Sequence, residues 1–217
     1  MIRQRSSAWP AVFFGIALLA AAPAAQASNF RTSDITGRGY GDAMPTLVDQ
    51  DGRPRTRDDF KGHVTVVDFG FTHCPDLCPT TLANLAQVLD KLGAERDHVQ
   101  IDFITVDPER DTPGVLREYL RGFGPNFVGL TGTADSIRRA AKTFKVFFQK
   151  KPMPGEDYTM DHSALIYILD PQGRVRLMSL YNRSPADIAH DILQLLNDHG
   201  GSAKLSGNRT IESGKAD

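Results

Sequence analysis

Residues 64–71, VTVVDFGF, form an almost unbroken β-branched and aromatic run that passes straight into Thr72-His73-Cys74-Pro75-Asp76-Leu77-Cys78-Pro79. Such a run, without polar alternation, fits a strand covered on both faces, the habit of parallel strands between layers of helix. The next segment reads as a helix. Leu82, Leu85, Ala86 and Leu89 share one face at helical spacing, and Pro79 is tolerated in a first turn, where no intrahelical N–H bond is lost. The chain therefore sets its two cysteines at a strand-to-helix junction. Thiols placed there meet unpaired N–H groups and the positive end of the helix dipole, which favours thiolate and predicts reactive cysteines.

The alternation continues along the chain. Residues 99–106 (VQIDFITV) read as a second strand closed by Asp107-Pro108, and Thr112-Pro113 supplies a cap and a first-turn proline for a helix to about residue 123. A short strand over 126–130, a helix over 134–144 and a strand-like piece over 146–149 come next, then a loop over 150–161, which holds two prolines and a glycine. Residues 163–170 read as a strand, Pro171-Gln172-Gly173 turns it, and 175–180 returns antiparallel. The last helix starts at Ser184-Pro185 and runs to about residue 197, with Ile188, Ile192, Leu195 and Leu196 inward. Nearer the N-terminus, Asp51-Gly52 suits a hairpin turn between 46–48 and 53–57.

This order predicts an α/β protein of thioredoxin-like fold, a mixed central sheet flanked by helices, with an N-terminal β-hairpin extension. One domain over 44–198 accounts for it, with 28–43, rich in Ser, Thr, Gly and Asp, read as a linker and 199–217 as a disordered tail. A core of that size folds without covalent staples, so the cysteines are free for chemistry.

The N-terminus bears on compartment. Arg3 and Arg5 precede an apolar run over 11–22, and Ala25-Gln26-Ala27 offers small residues where a signal peptidase cuts. We expect residues 1–27 to be a signal peptide cleaved after Ala27, with retention as an uncleaved anchor the alternative. Either route puts the domain outside the cytoplasm, in a periplasm, with membrane contact only if the segment is kept. The 25 Lys and Arg stand against 26 Asp and Glu, a formal charge of −1. That balance lacks the basic excess a nucleic-acid partner demands.

An oxidising compartment makes two nearby thiols a disulfide unless something keeps them reduced. The CxxxC spacing of Cys74 and Cys78 allows a local disulfide, thiol-disulfide exchange, peroxide chemistry, or shared ligation of one ion. Thioredoxin-like reductases carry a proline just before the strand that faces their cysteines; here Met160-Asp161-His162 occupies that place. Two thiolates and an imidazole make a soft three-ligand site, suited to copper and able to hold zinc. Asp76 and Asp161 adjoin these ligands and are candidates to orient His162 or set the local charge. Met153 and Met160 are soft enough to touch Cu(I), and Asp107 to Asp111 reads either as a partner-facing acidic edge or as helix capping.

Residues 69–79 (FGFTHCPDLCP), 106–113 (VDPERDTP) and Asp161-His162-Ser163 together closely resemble the Sco/SenC copper chaperones, over about residues 44–197. The resemblance implies copper, as Cu(I) or Cu(II), bound by Cys74, Cys78 and His162, with Cys74 and Cys78 also a redox-active disulfide pair. It implies a non-enzymatic role in assembling the copper centre of cytochrome oxidase subunit II or a related oxidase, with a periplasmic copper donor and a thioredoxin-like reductant as further partners. Some members of that family are argued to be thiol-disulfide oxidoreductases or redox sensors, and the resemblance leaves both roles open.

Overall fold

The computed structural model describes residues 29–155 and 157–207. The expected signal peptide, residues 1–27, lies outside them. Strand β1 (Ser33–Asp34), hairpin strands β2 (Leu47–Asp49) and β3 (Pro54–Arg55), and β4 (Val64–Gly70) lead into α1 (Leu77–Leu92). Then come β5 (Val99–Thr105), α2 (Pro113–Leu120), β6 (Phe127–Thr131) and α3 (Ala134–Thr143). The chain closes with β7 (Phe148–Pro152), β8 (Tyr158–His162), β9 (Leu165–Leu169), β10 (Val175–Leu180) and α4 (Pro185–Gly207).

Eight strands form one sheet in the order β1-β10-β9-β4-β5-β6-β2-β3. The middle of it is parallel, β4 with β5 and β5 with β6, because helices α1 and α2 carry the chain back between them. Every residue of β4 is buried, as its apolar run demands. Phe69 and Tyr167 pack edge-on against Phe144 beyond α3, and α1 lies against α4.

One pairing decides where the chemistry sits. β9 runs antiparallel to β4, with Asp68 opposite Ile166, so the start of β9 lies beside the end of β4. The residues just before β9 therefore meet the loop after β4, although 84 positions separate Cys78 from His162. The carboxyl end of a parallel strand where the topology changes direction is the usual place for a binding site in such sheets.

Three segments differ from the reading of the sequence. Residues 28–43 were expected as a linker, but β1 pairs with β10, Ile35 is buried, and Gly41, at φ +71°, packs so closely that an added Cβ would stand 2.8 Å from Val175. Buried Asp191 of α4 pins the start of this strap, accepting hydrogen bonds from the Arg31 N–H (2.9 Å), the Thr32 N–H (2.8 Å) and the Thr32 hydroxyl (2.8 Å). The strap has no periodicity because its order comes from long-range contacts instead of an amphipathic face. Residues 150–161 were expected as a loop, yet β7 and β8 form an antiparallel ribbon from Phe148↔His162 to Pro152↔Tyr158. Pro152, which has no N–H to give, sits at the ribbon's end, and the exposed Lys150 and Lys151 hide the strand pattern. Finally, α4 continues to Gly207, ten residues past the expected stop near Asn197 and into the predicted tail. The expected hairpin about Asp51-Gly52 is β2 and β3, and it continues the sheet through β6.

Candidate metal centre

β4 ends at Gly70, the backbone turns, and α1 begins at Leu77, so Cys74 lies in the turn and Cys78 is the second residue of the helix. Gly70 is required by what crosses it. An added Cβ would stand 2.5 Å from the Phe103 ring and 2.9 Å from the Cys78 sulfur. Both cysteines are free thiols; Cys78 is 2% exposed, whereas Cys74 is half-buried. The Cys78 N–H points at the Cys74 sulfur, 3.4 Å away, as a helix N-terminus should.

His162 ends β8 with its Nε2 3.9 Å from the Cys78 Sγ. Its Nδ1 lies 3.1 Å from the Ser163 carbonyl oxygen. A carbonyl only accepts, so Nδ1 carries the proton and the neutral ring turns an Nε2 lone pair toward the thiol. The Phe71 ring meets the imidazole edge-on at 6.0 Å and backs it. Asp68, Cys78, Thr81, His162 and Tyr181 share the walls of one small cavity.

Burial sets the protonation states. It pushes the Cys78 thiol well above the ordinary thiol range, against a backbone hydrogen bond from Phe71, and nearby Asp68 adds to the rise. It lowers His162 below the ordinary histidine value, with the Ser163 carbonyl and Asp161 opposing. The two cysteines are thus unequal in burial. For Cys78 desolvation outweighs the helix N-terminus, and the half-exposed Cys74 is the one that solvent and partners reach first.

Asp76 is exposed at the N-cap of α1, where it makes no side-chain cap bond and lies 3.4 Å from the Thr80 hydroxyl. Asp161 faces Lys151 at 3.8 Å, so the group that orients the His162 ring is the Ser163 carbonyl. Met153 is exposed in the ribbon, and Met160 is buried beside Val106, Ile137 and Phe148; neither lines the cavity at Cys78. Of the acidic run 107–111 only Glu109 faces solvent. Asp107 and Asp111 are 2% and 0% exposed, and the cap of α2 is Thr112, whose hydroxyl accepts from the Val115 N–H.

Reading the sequence missed two features. Asp68 is a carboxyl inside the fully buried β4, pushed up to about 8 by burial, and the signal for it was an acid in the middle of an apolar run. Asp111 takes hydrogen bonds from the Thr72 N–H (3.0 Å), the Thr72 hydroxyl (2.6 Å) and the Thr105 hydroxyl (2.6 Å), and so fixes the turn that carries Cys74.

As placed, no three His, Cys, Asp or Glu side chains among the described residues close into a metal cage. Cys78 and His162 face one another, and the Cys74 sulfur lies beside the Cys78 N–H. Two sulfurs and a neutral imidazole suit a soft ion.

The fold and this site define a thioredoxin-like α/β domain that carries a CxxxC thiol pair opposed by a histidine. The chain belongs to the SCO1/SenC family, whose model matches residues 41–197. It is 43% identical over 132 residues to SCO2, a mitochondrial protein of Saccharomyces cerevisiae, a match that covers 59% of this chain and 44% of that one. It thus spans less than half the length of that relative. Bradyrhizobium japonicum ScoI, solved with copper bound, is 41% identical and superposes with a TM-score of 0.65 over 69% of this chain and 96% of its own. BsSco, a member of the Sco family of cytochrome c oxidase assembly proteins in which a disulfide switch was identified, is 29% identical, with a TM-score of 0.61 over 76% of this chain and 97% of its own.

Proposed function

We propose that this protein is a copper metallochaperone that holds the metal with Cys74, Cys78 and His162 and delivers it to, or prepares the cysteines of, a respiratory oxidase copper centre. The observation that carries the reading is the approach of His162 Nε2 to the Cys78 sulfur at 3.9 Å, in a domain of the SCO1/SenC family. A neutral imidazole with its free nitrogen toward a thiol can serve as a base in thiol exchange as well as a ligand to a soft ion, and membership of the SCO1/SenC family favours the ligand.

The inequality of the cysteines suits transfer. Cys78 is buried in the core with the partly buried His162 beside it, and Cys74 at the rim is the ligand that an incoming donor or acceptor reaches and replaces. Oxidation to a Cys74–Cys78 disulfide gives up two electrons and two thiol protons to an oxidant and removes both sulfur ligands, so redox state and metal loading are linked. That link favours a second role as a thiol-disulfide redox partner, and it implies a thioredoxin-like reductant together with a copper donor. The domain works outside the cytoplasm on this reading, in a periplasm, released or tethered by the N-terminal segment. No helix among the described residues is long and apolar enough to cross a membrane.

The test is an anaerobic Cu(I) titration of the reduced protein beside an insulin-reduction and a peroxide-turnover assay. We expect one tight equivalent and little turnover. Cys74→Ser or Cys78→Ser should abolish tight binding, and His162→Ala should weaken it while leaving the dithiol able to oxidise. Rapid turnover without copper binding would make the protein an oxidoreductase instead.

A further inference from the structure

The metal site is assembled from two pieces of chain that meet through the β9–β4 pairing, the Phe71 ring against His162 and the approach of His162 to Cys78. The cysteines sit on the turn after β4, and the histidine sits at the end of a two-stranded ribbon outside the main sheet, one strand of which is mostly exposed. A two-stranded ribbon is marginal in water by itself, so contacts besides these steady it if His162 is to stay at the sulfurs.

The loop after β5 grips both pieces. On one side Asp111, fully buried, binds the backbone and hydroxyl of Thr72. The Val106 N–H adds a bond of 2.8 Å to the Gly70 carbonyl. On the other side Asp107 accepts from the Tyr158 hydroxyl at 2.9 Å, at the start of β8. Arg110 lies across the Tyr158 ring at 3.7 Å from its centroid, donates to the Tyr158 carbonyl at 3.0 Å, and pairs with Asp107. The loop is itself closed, since the Asp111 N–H bonds the Asp107 carbonyl at 2.9 Å and the Asp107 N–H bonds the Thr105 hydroxyl at 2.9 Å.

Buried carboxylates cost desolvation and are tolerated only where donors are already placed, so they specify geometry more than they add stability. Here the donors of Asp111 come from the cysteine turn and from β5, and the Tyr158 donor to Asp107 comes from the histidine ribbon. We propose that residues 106–111 are a clamp that sets the separation of the cysteine turn from the histidine ribbon, with Asp111 the positioning residue for the cysteines and Asp107 with Arg110 the positioning pair for His162. The clamp rests on the copper reading above for its purpose, but its geometry can be tested without copper.

The experiment is a double-substitution cycle on the full chain. Cu(I) affinity is read by competition with a chelator for the parent, Arg110→Gln, His162→Ala and the pair, with thermal melts to establish that each variant is folded. Arg110→Gln should weaken binding about as far as His162→Ala does, by roughly tenfold. Once His162 is gone it should cost nothing more. Asp111→Asn, or Thr72→Val where that variant does not fold, should weaken binding further in the His162→Ala background, because it acts on the other half of the site. Losses from Arg110→Gln and His162→Ala that multiply would overturn the clamp. If the parent binds no Cu(I), the copper reading fails, and the clamp is judged on the metal-free protein by the ring nitrogen signals of His162 in nuclear magnetic resonance. A shift of those signals in Arg110→Gln but not in Thr72→Val supports it, and signals unmoved by Arg110→Gln overturn it.

Discussion

His162 Nε2 and Cys78 Sγ stand 3.9 Å apart, the one an open lone pair and the other a protonated thiol. Burial has pushed both groups toward their neutral forms, the thiol upward and the imidazole downward. A cation entering this site must therefore expel the Cys78 proton but need not expel one from His162 at neutral pH.

A pH dependence of metal affinity is the consequence. Each proton displaced on binding steepens affinity by about one log unit per pH unit. We expect Cu(I) affinity to rise with pH across 7 to 9 by at least that slope, since Cys78 stays protonated throughout the range. Because His162 is held below its ordinary 6.5, its protonation should add to the slope only in more acidic solution. Chelator competition at a series of pH values reads this directly, and an affinity flat from pH 7 to 9 would mean that Cys78 is not a ligand.

Asp68 makes a prediction about stability in the metal-free protein. Its carboxyl titrates near 8 in the fold against 3.8 in the ordinary case, so between those values the folded state holds a proton that the unfolded state has lost. Stability must then fall as pH rises through this window and level off above 8. Asp102, raised to about 7 by burial, acts in the same direction. Asp68→Asn should raise stability at pH 8 by a few kcal/mol, on the order of 1.4 kcal/mol per unit of the raised pKa less whatever relaxation recovers. Urea melts of parent and variant at pH 5 and pH 8 should differ by more at the higher pH.

Much of this molecule is legible from particular residues. The β4 run, the first-turn Pro79 and the Thr112-Pro113 pair each state their own local structure, and the α/β order follows from them. His162 could be singled out because it occupies the place of a proline beside the facing strand; that it reaches Cys78 depends on the antiparallel pairing of β9 with β4, which no local pattern encodes. The same holds for what was misread. Ile35 in the strap is ordered by a partner far away in sequence, its N–H bonding the Arg176 carbonyl, and Lys150 lies over the Tyr158 ring across the ribbon. Asp107 and Asp111 look like surface acids until the donors from Tyr158 and Thr72 are in place.

Gly70 offers a steric test of the site floor. Alanine there would press its methyl into the Phe103 ring at 2.5 Å and the Cys78 sulfur at 2.9 Å, and neither neighbour is the free end of a flexible chain. Overpacking of this kind costs about 1–3 kcal/mol. We expect Gly70→Ala to lower the melting temperature and also to weaken copper binding by displacing Cys78. Relief by Phe103→Leu, which withdraws the closer obstacle, should restore part of the stability, and a Gly70→Ala variant as stable as the parent would show that the sulfur does not rest on this backbone.

The strap ahead of the sheet gives the last prediction. Asp191 is fully buried, and its carboxylate takes the Arg31 N–H, the Thr32 N–H and the Thr32 hydroxyl. Charged acceptors satisfying backbone donors are among the stronger hydrogen bonds, and leaving such donors without partners costs about 1–3 kcal/mol each where water cannot reach them. Asp191→Ala should therefore destabilise the domain by roughly 2–3 kcal/mol. Because the strap ends on β10 as well, through Ser33↔Met178 and Asp34↔Leu177, the loss should appear first as local opening. Limited proteolysis should then cut the variant within 31–43 well before the rest of the domain, at a protease level that leaves the parent whole. Equal resistance in the two proteins would mean that the β1–β10 pairing and buried Ile35 hold the strap without Asp191.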